Sequence, residues 1–164
     1  MLSVRRYGTF ILLALLAGCG YQLRTTSVHG FSSLGLTQAS EAPVMAGALR
    51  DELRRLGVSI TMDSPDGYSV EFLDERSTRR TVATTNVIDA AEYELKLELD
   101  VVILKGETAL VPTTTLVAER VYALDRTNLS GSAEEETLLM VEMRVQLSRD
   151  LLRRVEILAQ ESQL

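Results

Sequence analysis

Alternation of apolar and polar residues is strongest over residues 93–104, YELKLELDVVIL. Tyr93, Leu95, Leu97, Leu99, Val101 and Ile103 fall on one side of an extended chain, and Glu94, Lys96, Glu98 and Asp100 on the other. This predicts a strand with one buried and one wet face. KGE at 105–107 is short enough for a hairpin turn. The β-branched stretch VPTTTLVAERVYALD then returns as the next strand, with Pro112 near its start, where a missing N–H is tolerated. Upstream, SPDG at 64–67 is a turn sequence leading into a strand that carries Tyr68, Val70 and Phe72 at period two. SLGLT at 33–37 reads as a short first strand.

Two segments switch to helical spacing. In SEAPVMAGALRDELRRLG, Met45, Leu49, Leu53 and Leu56 make one apolar stripe. Ser40 is placed to cap this helix, Pro43 to sit in its first turn and Gly57 to end it in a left-handed conformation. The last helix runs to about Gln160, with Ser132 and Glu135 spaced as a capping box. Its stripe of Leu138, Val141, Val145, Leu152, Val155 and Ala159 is widened by Met140, Met143, Leu147, Leu151 and Leu158. A helix apolar over so wide an arc must touch two surfaces, here the first helix and the sheet, with any exposed remainder left for a partner.

The order is therefore β-α-β-β-β-α. Three consecutive strands with short links favour an antiparallel meander. The expected fold is α+β, two helices packed on one face of a mostly antiparallel four-stranded sheet.

The N-terminus follows a different pattern. Arg5 and Arg6 precede an apolar block at 10–17, then Gly18 and Cys19. A charged start, a short apolar core and small residues before a cleavage point describe a secretory signal peptide. Eight helical residues span about 12 Å, far short of the ~30 Å hydrocarbon layer. Leu16-Ala17-Gly18-Cys19 resembles the bacterial lipobox, which implies cleavage before Cys19 and a covalent lipid on its sulfur. The expected organisation is a signal peptide at 1–18, a lipidated N-terminus and tether at 19–32, and one domain at 33–164. Gly20, where many inner-membrane lipoproteins have Asp, points to the outer membrane.

Removing the leader takes two of the 17 basic residues and no acid, leaving 15 basic against 23 acidic side chains and a formal charge of −8. That balance argues against nucleic acid as a partner. One histidine, His29, and one cysteine cannot build a zinc site or a Ser-His-Asp triad. DSPDG at 63–67 lacks the spacing of a calcium loop, and there is no Gly-rich phosphate loop. The chain reads as a non-enzyme, with no metal and no cofactor beyond the lipid on Cys19.

ERSTRRT gathers Arg76, Arg79 and Arg80 between the second strand and the long hairpin. Guanidinium forks suit phosphate, so the three are candidates for binding a phosphorylated lipid. The same charges would equally serve to stop a sheet edge from pairing. Arg120 shares a strand side with Tyr122 and Leu124 and is expected to pair with a carboxylate at the sheet margin.

The segments LLAGCGYQLR, LRDELRRLGV, AAEYELKLELDV, ERVYALD and EEETLLMVEMRVQLSRDLLRRV, in this order, resemble the LPS-assembly lipoprotein family LptE, also called RlpB. The resemblance spans nearly the whole chain and implies two helices on a small sheet. It also implies a plug inside the β-barrel LptD that helps assemble the barrel and takes part in lipopolysaccharide transport to the outer leaflet. The implied partners are LptD, lipopolysaccharide and the membrane through the lipid anchor. The implied location is the outer membrane, facing the periplasm. ATTNVIDAA at 83–91 carries no basic residue, so lipid contact at that hairpin tip is not expected. The competing expectation is a lipid-binding carrier or chaperone lipoprotein acting without a barrel, which needs an apolar cavity between helices and sheet.

Cys19→Ser is expected to move the protein out of the membrane fraction and to abolish the acyl mass on the mature N-terminus, because two or more chains anchor stably at ~0.8 kcal/mol per buried methylene. Fractionation with intact-mass measurement checks both, and a wild-type product with a free thiol would overturn the assignment.

Overall fold

The computed structural model describes residues 30–61, 64–84, 90–125 and 127–162. The leader, Cys19, most of the tether and the centre of the 83–91 hairpin tip lie outside them. The elements run β1 (Ser33–Thr37), α1 (Pro43–Leu56), β2 (Ser59–Thr61), β3 (Tyr68–Thr84), β4 (Ala90–Lys105), β5 (Thr108–Asp125) and α2 (Leu129–Glu161). They form one five-stranded sheet of order β2-β1-β3-β4-β5. The α+β fold is as expected, with one strand more than the four anticipated. That strand, β2, has three residues, too few for alternation to show.

Strand β1 pairs in parallel with β2 and with the start of β3, while β3, β4 and β5 form the antiparallel meander. Gly35 lets β1 approach β3 closely, since a Cβ there would stand 2.9 Å from that of Ser69. Strand β1 pairs with β3 only as far as Glu71, and the meander continues well past it. With 16 residues in β4, the long strands reach roughly 50 Å at ~3.3 Å per residue. The 33 residues of α2 give about the same length at ~1.5 Å each.

Both helices lie on one side of the sheet. Leu95, Leu97, Leu99, Val101 and Ile103 of β4 are all buried there, with Leu116, Ala118 and Tyr122 of β5 and Val70 and Phe72 of β3. Met45, Leu49 and Leu53 of α1 and Met143, Leu147 and Leu151 of α2 close the layer at no more than 1% exposure.

Helix α1 begins with Pro43 at its first position and ends at Gly57, whose φ of 74° is the left-handed conformation expected. Ser40 does not cap it. The N-cap is Ala42, without a side-chain bond, and Ser40 Oγ reaches Glu41 instead. The capping box in α2 is also displaced. Asn128 caps the helix, accepting from the Gly131 N–H at 3.1 Å, and Ser132 is already inside the first turn. Its buried hydroxyl accepts the Asp125 N–H at 2.9 Å, tying the helix to the end of β5.

The buried arc of α2 is rotated from the expected stripe. Leu138 and Val141 stand 64% and 52% exposed, while Met143, Leu147, Leu151, Leu152, Val155 and Ala159 are buried. The 3.6-residue period fixed a wide arc, and contact with α1 and β5 selected which part of it is covered. Leu147→Ala is therefore expected to cost about 3 kcal/mol, as buried leucine truncations do. Leu138→Ala should stay within about 0.5 kcal/mol. Urea denaturation of the two variants decides which face is the core.

Candidate functional site

The arginine segment is not a loop. Arg76, Arg79 and Arg80 lie within β3, and a register irregularity between Phe72 and Asp74 sets their directions. Val70 and Phe72 face the helices. The extra residue, Leu73, then reverses the parity, so Glu75, Ser77 and Arg79 take the helix side while Asp74, Arg76, Thr78 and Arg80 take the outer side. The three guanidinium groups therefore do not make one patch.

On the outer face, charges are matched both across and along the strands. Arg76 Nη1 lies 2.6 Å from both Asp74 Oδ2 and Asp100 Oδ2. Arg80 holds Glu94 with two bonds, Nε at 2.6 Å and Nη2 at 3.1 Å. Lys96 reaches Glu98 at 3.0 Å. The Arg76 guanidinium, with the Thr115 hydroxyl, holds the Asp100 carboxyl below the usual range, and Arg80 does the same for Glu94. The alternating acids of β4 thus lie on the outer face as expected, largely covered as partners of these arginines. On β5 the same face carries Val117 and Val121, 43% and 57% exposed.

On the helix side, Arg79 Nη1 donates to Glu136 Oε2 of α2 at 2.9 Å, and its guanidinium lies 5.1 Å from the centre of the Tyr93 ring. The Tyr122 hydroxyl donates to the same Glu136 oxygen, and the Tyr93 and Tyr122 rings are 5.9 Å apart. The Tyr122 hydroxyl and Arg79 keep the Glu136 carboxyl low, while burial and the Glu136 charge push the Tyr122 phenol up. Arg120 donates to Gln146 Oε1 of α2 at 2.6 Å and to the Glu119 carbonyl at 2.8 Å, a side-chain amide rather than the carboxylate expected.

Three carboxylates that sequence reasoning passed over are the joints of the body. Glu75 accepts the Met45 N–H at the start of α1 (3.1 Å) and Arg144 Nε of α2 (2.9 Å). Glu52 of α1, 6% exposed, is held by Arg55 on its own helix and by Arg149 Nε of α2 at 3.0 Å. Asp66, in the predicted turn, accepts both the N–H and the hydroxyl of Ser32 and of Ser33, at 2.7 to 3.0 Å. It clamps the chain where the tether enters β1. The only sequence signal for any of these was Asp66 in its turn.

Among the described residues, no group of three His, Cys, Asp or Glu is placed to hold a metal ion, and no helix is long and apolar enough to cross a membrane. The accessible hollows include open grooves of about 400 and 530 Å³ along α2.

Comparison with known proteins bears on this arrangement. The family model described as LptE, lipopolysaccharide-assembly, matches residues 27–155. The chain is 28% identical over 149 residues to the LPS-assembly lipoprotein LptE of Pectobacterium atrosepticum, covering 88% of this chain and 80% of that protein. Rare lipoprotein B from Shewanella oneidensis superposes with a TM-score of 0.65 at 21% identity, covering 80% of this chain and 99% of that one. Lipoprotein B from Nitrosomonas europaea superposes with a TM-score of 0.63 at 19% identity, covering 84% and 90%. At these identities the two structures speak to the fold.

Glu52 gives a pH test. The Arg55 hydrogen bond outweighs burial and, with Arg149, lowers its pKa, so the folded state holds a carboxylate the unfolded chain would protonate sooner. The stability it contributes is present above the unfolded value of ~4.3 and lost as pH falls through the lower folded value. Glu52→Gln is expected to cost about 1–2 kcal/mol at pH 7, because both arginines remain half exposed, and to flatten the acid limb of the stability curve. Urea midpoints between pH 3 and 7 check this, and an unchanged acid limb would refute it.

Proposed function

The chain belongs to the LptE lipopolysaccharide-assembly family, and on that premise we propose that it is an outer-membrane lipoprotein, anchored through acyl chains on Cys19, whose body fills the LptD β-barrel. There it helps the barrel assemble and takes part in delivering lipopolysaccharide to the outer leaflet. It acts by shape and contact, without catalysis and without a metal or diffusible cofactor.

The observation that carries this reading is the sheet's outer face. A barrel large enough to admit a domain has a polar, hydrated interior. A plug must therefore present a surface that tolerates water yet does not repel its surroundings. The face built from Asp74, Arg76 and Arg80 on β3 and Asp100, Glu98, Lys96 and Glu94 on β4 meets both demands, because its charges are bonded to one another, Arg76 to Asp100 and Arg80 to Glu94 across strands and Arg76 to Asp74 and Lys96 to Glu98 along them. The opposite layer is closed by Leu34, Met45, Leu49, Phe72, Leu97, Leu99, Met143, Leu147 and Leu151. That packing leaves the carrier reading, which needs a lipid-sized void there, without support.

Lipopolysaccharide contact by the arginines belongs to the proposal in altered form. Each guanidinium already has a carboxylate, so a lipid phosphate must displace Glu94, Asp100 or Glu136 rather than fill an empty site. Arg80 is best placed, with its side chain 73% exposed. Arg79 binds only if the α2 joint opens. Extraction of the native lipoprotein in mild detergent is expected to bring LptD with it, and recovery as a lone monomer would overturn the plug. Arg80→Ala is expected to weaken lipopolysaccharide binding about threefold to tenfold at low ionic strength, with a smaller loss for Arg76→Ala. Equal binding by both variants and by the triple alanine variant would remove the arginines from the lipid site.

A further inference from the structure

The two open edges of the meander are built differently. Beyond Glu71, where β1 stops pairing, β3 carries register irregularities at Phe72/Asp74 and Thr81/Ala83, with Arg76, Arg79 and Arg80 between them. Bulges and charges are how natural sheets prevent edge pairing. Strand β5 ends the sheet on the other side. Its protective features, Pro112 and the irregular register against Val101–Leu104, all lie in its first half. From Thr114 to Asp125 it pairs with β4 without interruption and has no bulge or proline. Its outer face there is Thr115, Val117, Glu119, Val121 and Ala123, a single charge among small and apolar residues.

A groove of about 530 Å³ lies where α2 meets this half of β5. Arg120 lines it from the strand, and Val141, Val145, Arg149 and Arg153 from the helix, with Glu142 and Asp150 beside them. An unguarded backbone edge and a part-apolar groove thus meet along the same strand.

We propose that the Thr114–Asp125 edge of β5, under the flank of α2, is the seat of a sixth strand contributed by a partner polypeptide. Main-chain hydrogen bonds to the edge would hold it, and its alternate side chains would enter the groove. Charge defines the partner's pattern. The groove's three arginines outnumber Glu142 and Asp150, and Arg149 is already held by Glu52, so the strand carries an acidic residue on its inner side, toward Arg120 and Arg153, and a basic one on its outer side, opposite Glu119, flanked by apolar residues over Val117 and Val121. A second copy of this chain fits poorly. An antiparallel β5–β5 pair that matches Val117 with Val121 sets Glu119 against Glu119, and like charges directly opposite are destabilising. The inference goes beyond the plug reading, because it specifies how a polypeptide docks whatever larger architecture it comes from.

Alternate N–H groups of an edge strand point away from the sheet, which gives strand addition a signature that side-chain docking lacks. Amide exchange is measured residue by residue in isolated membranes and on the purified lipoprotein alone. In membranes, alternate amides between Thr114 and Leu124 are expected to exchange at least about tenfold more slowly than in the purified protein. Val117→Lys with Val121→Lys, both at exposed positions, should erase the difference, while Ile157→Lys, also exposed, should not. Unchanged β5 amides in membranes would overturn the proposal and leave the plug reading standing. Slowing that grows with concentration in the purified protein would overturn it in favour of a second copy. Alternating protection in membranes from which mild detergent recovers no β-barrel with the lipoprotein would instead remove the plug and keep the sixth strand, contributed by another polypeptide.

Discussion

A single extra residue in β3 decides how the two layers meet. Val70 and Phe72 pack under the helices, and unbroken alternation would send Asp74, Arg76 and Arg80 after them. Asp74 would then take the place of Glu75 under the helices, and a charge buried there without a partner costs several kcal/mol. Leu73 shifts the register instead. The shift forfeits local ladder bonding worth about 1 kcal/mol, so the balance clearly favours it. Glu75 comes round to receive the first turn of α1 and Arg144 of α2. Arg79 comes round to meet Glu136, while Arg76 and Arg80 turn outward to the acids of β4.

This device explains what sequence could and could not disclose. Strand β4 was plain because its odd positions from 95 to 103 are all apolar and its even positions from 94 to 100 all charged, with no interruption to disturb the parity. The ends of α1 were plain because proline and glycine act locally. The bulge has no such mark. FLDER contains neither glycine nor proline, and the reason for the irregularity lies in helices that join β3 only in three dimensions. A parity error then propagates to every residue beyond it, which is why the arginines looked like a cluster. The displaced caps have a related cause. Ser132 satisfied the local pattern, but it is spent on the Asp125 N–H, so Asn128 takes the end of the helix.

Helix α2 is held in two ways along its length. Its second half is fixed by apolar contact, from Met143 through Ala159. Its first half is fixed largely by polar joints, Glu136 to Arg79 and Tyr122, and it leaves Leu129, Leu138 and Val141 exposed. Apolar burial of this extent yields only when the layer comes apart, whereas a partly exposed ion pair contributes about 1 kcal/mol or less. Local opening therefore favours the first half of α2. That is also the half through which Arg79 would be released and past which the β5 edge runs.

The same polarity extends to the membrane. The Asp66 clamp holds Ser32 and Ser33 at the end of the body where β3 and β5 begin and β4 ends. At that end Phe31 packs 6.3 Å from Tyr68, and Gly67 accepts the Gly106 N–H at 2.7 Å. The opposite end carries the start of α2, the Tyr93–Tyr122 pair and the end of β5. Between Cys19 and Gly30 the chain can reach about 40 Å at full extension, less than the roughly 50 Å length of the long strands. On the proposed reading, an acyl anchor at Cys19 would keep the clamped end, which is tightly bonded, close to the bilayer surface. The loosely held end stays at a distance set by the tilt of the body. A firm foot and a yielding head would suit the proposed plug, which has to stay attached while another polypeptide forms around it, and the ion-paired face would let its acidic surface enter that enclosure without uncompensated charge.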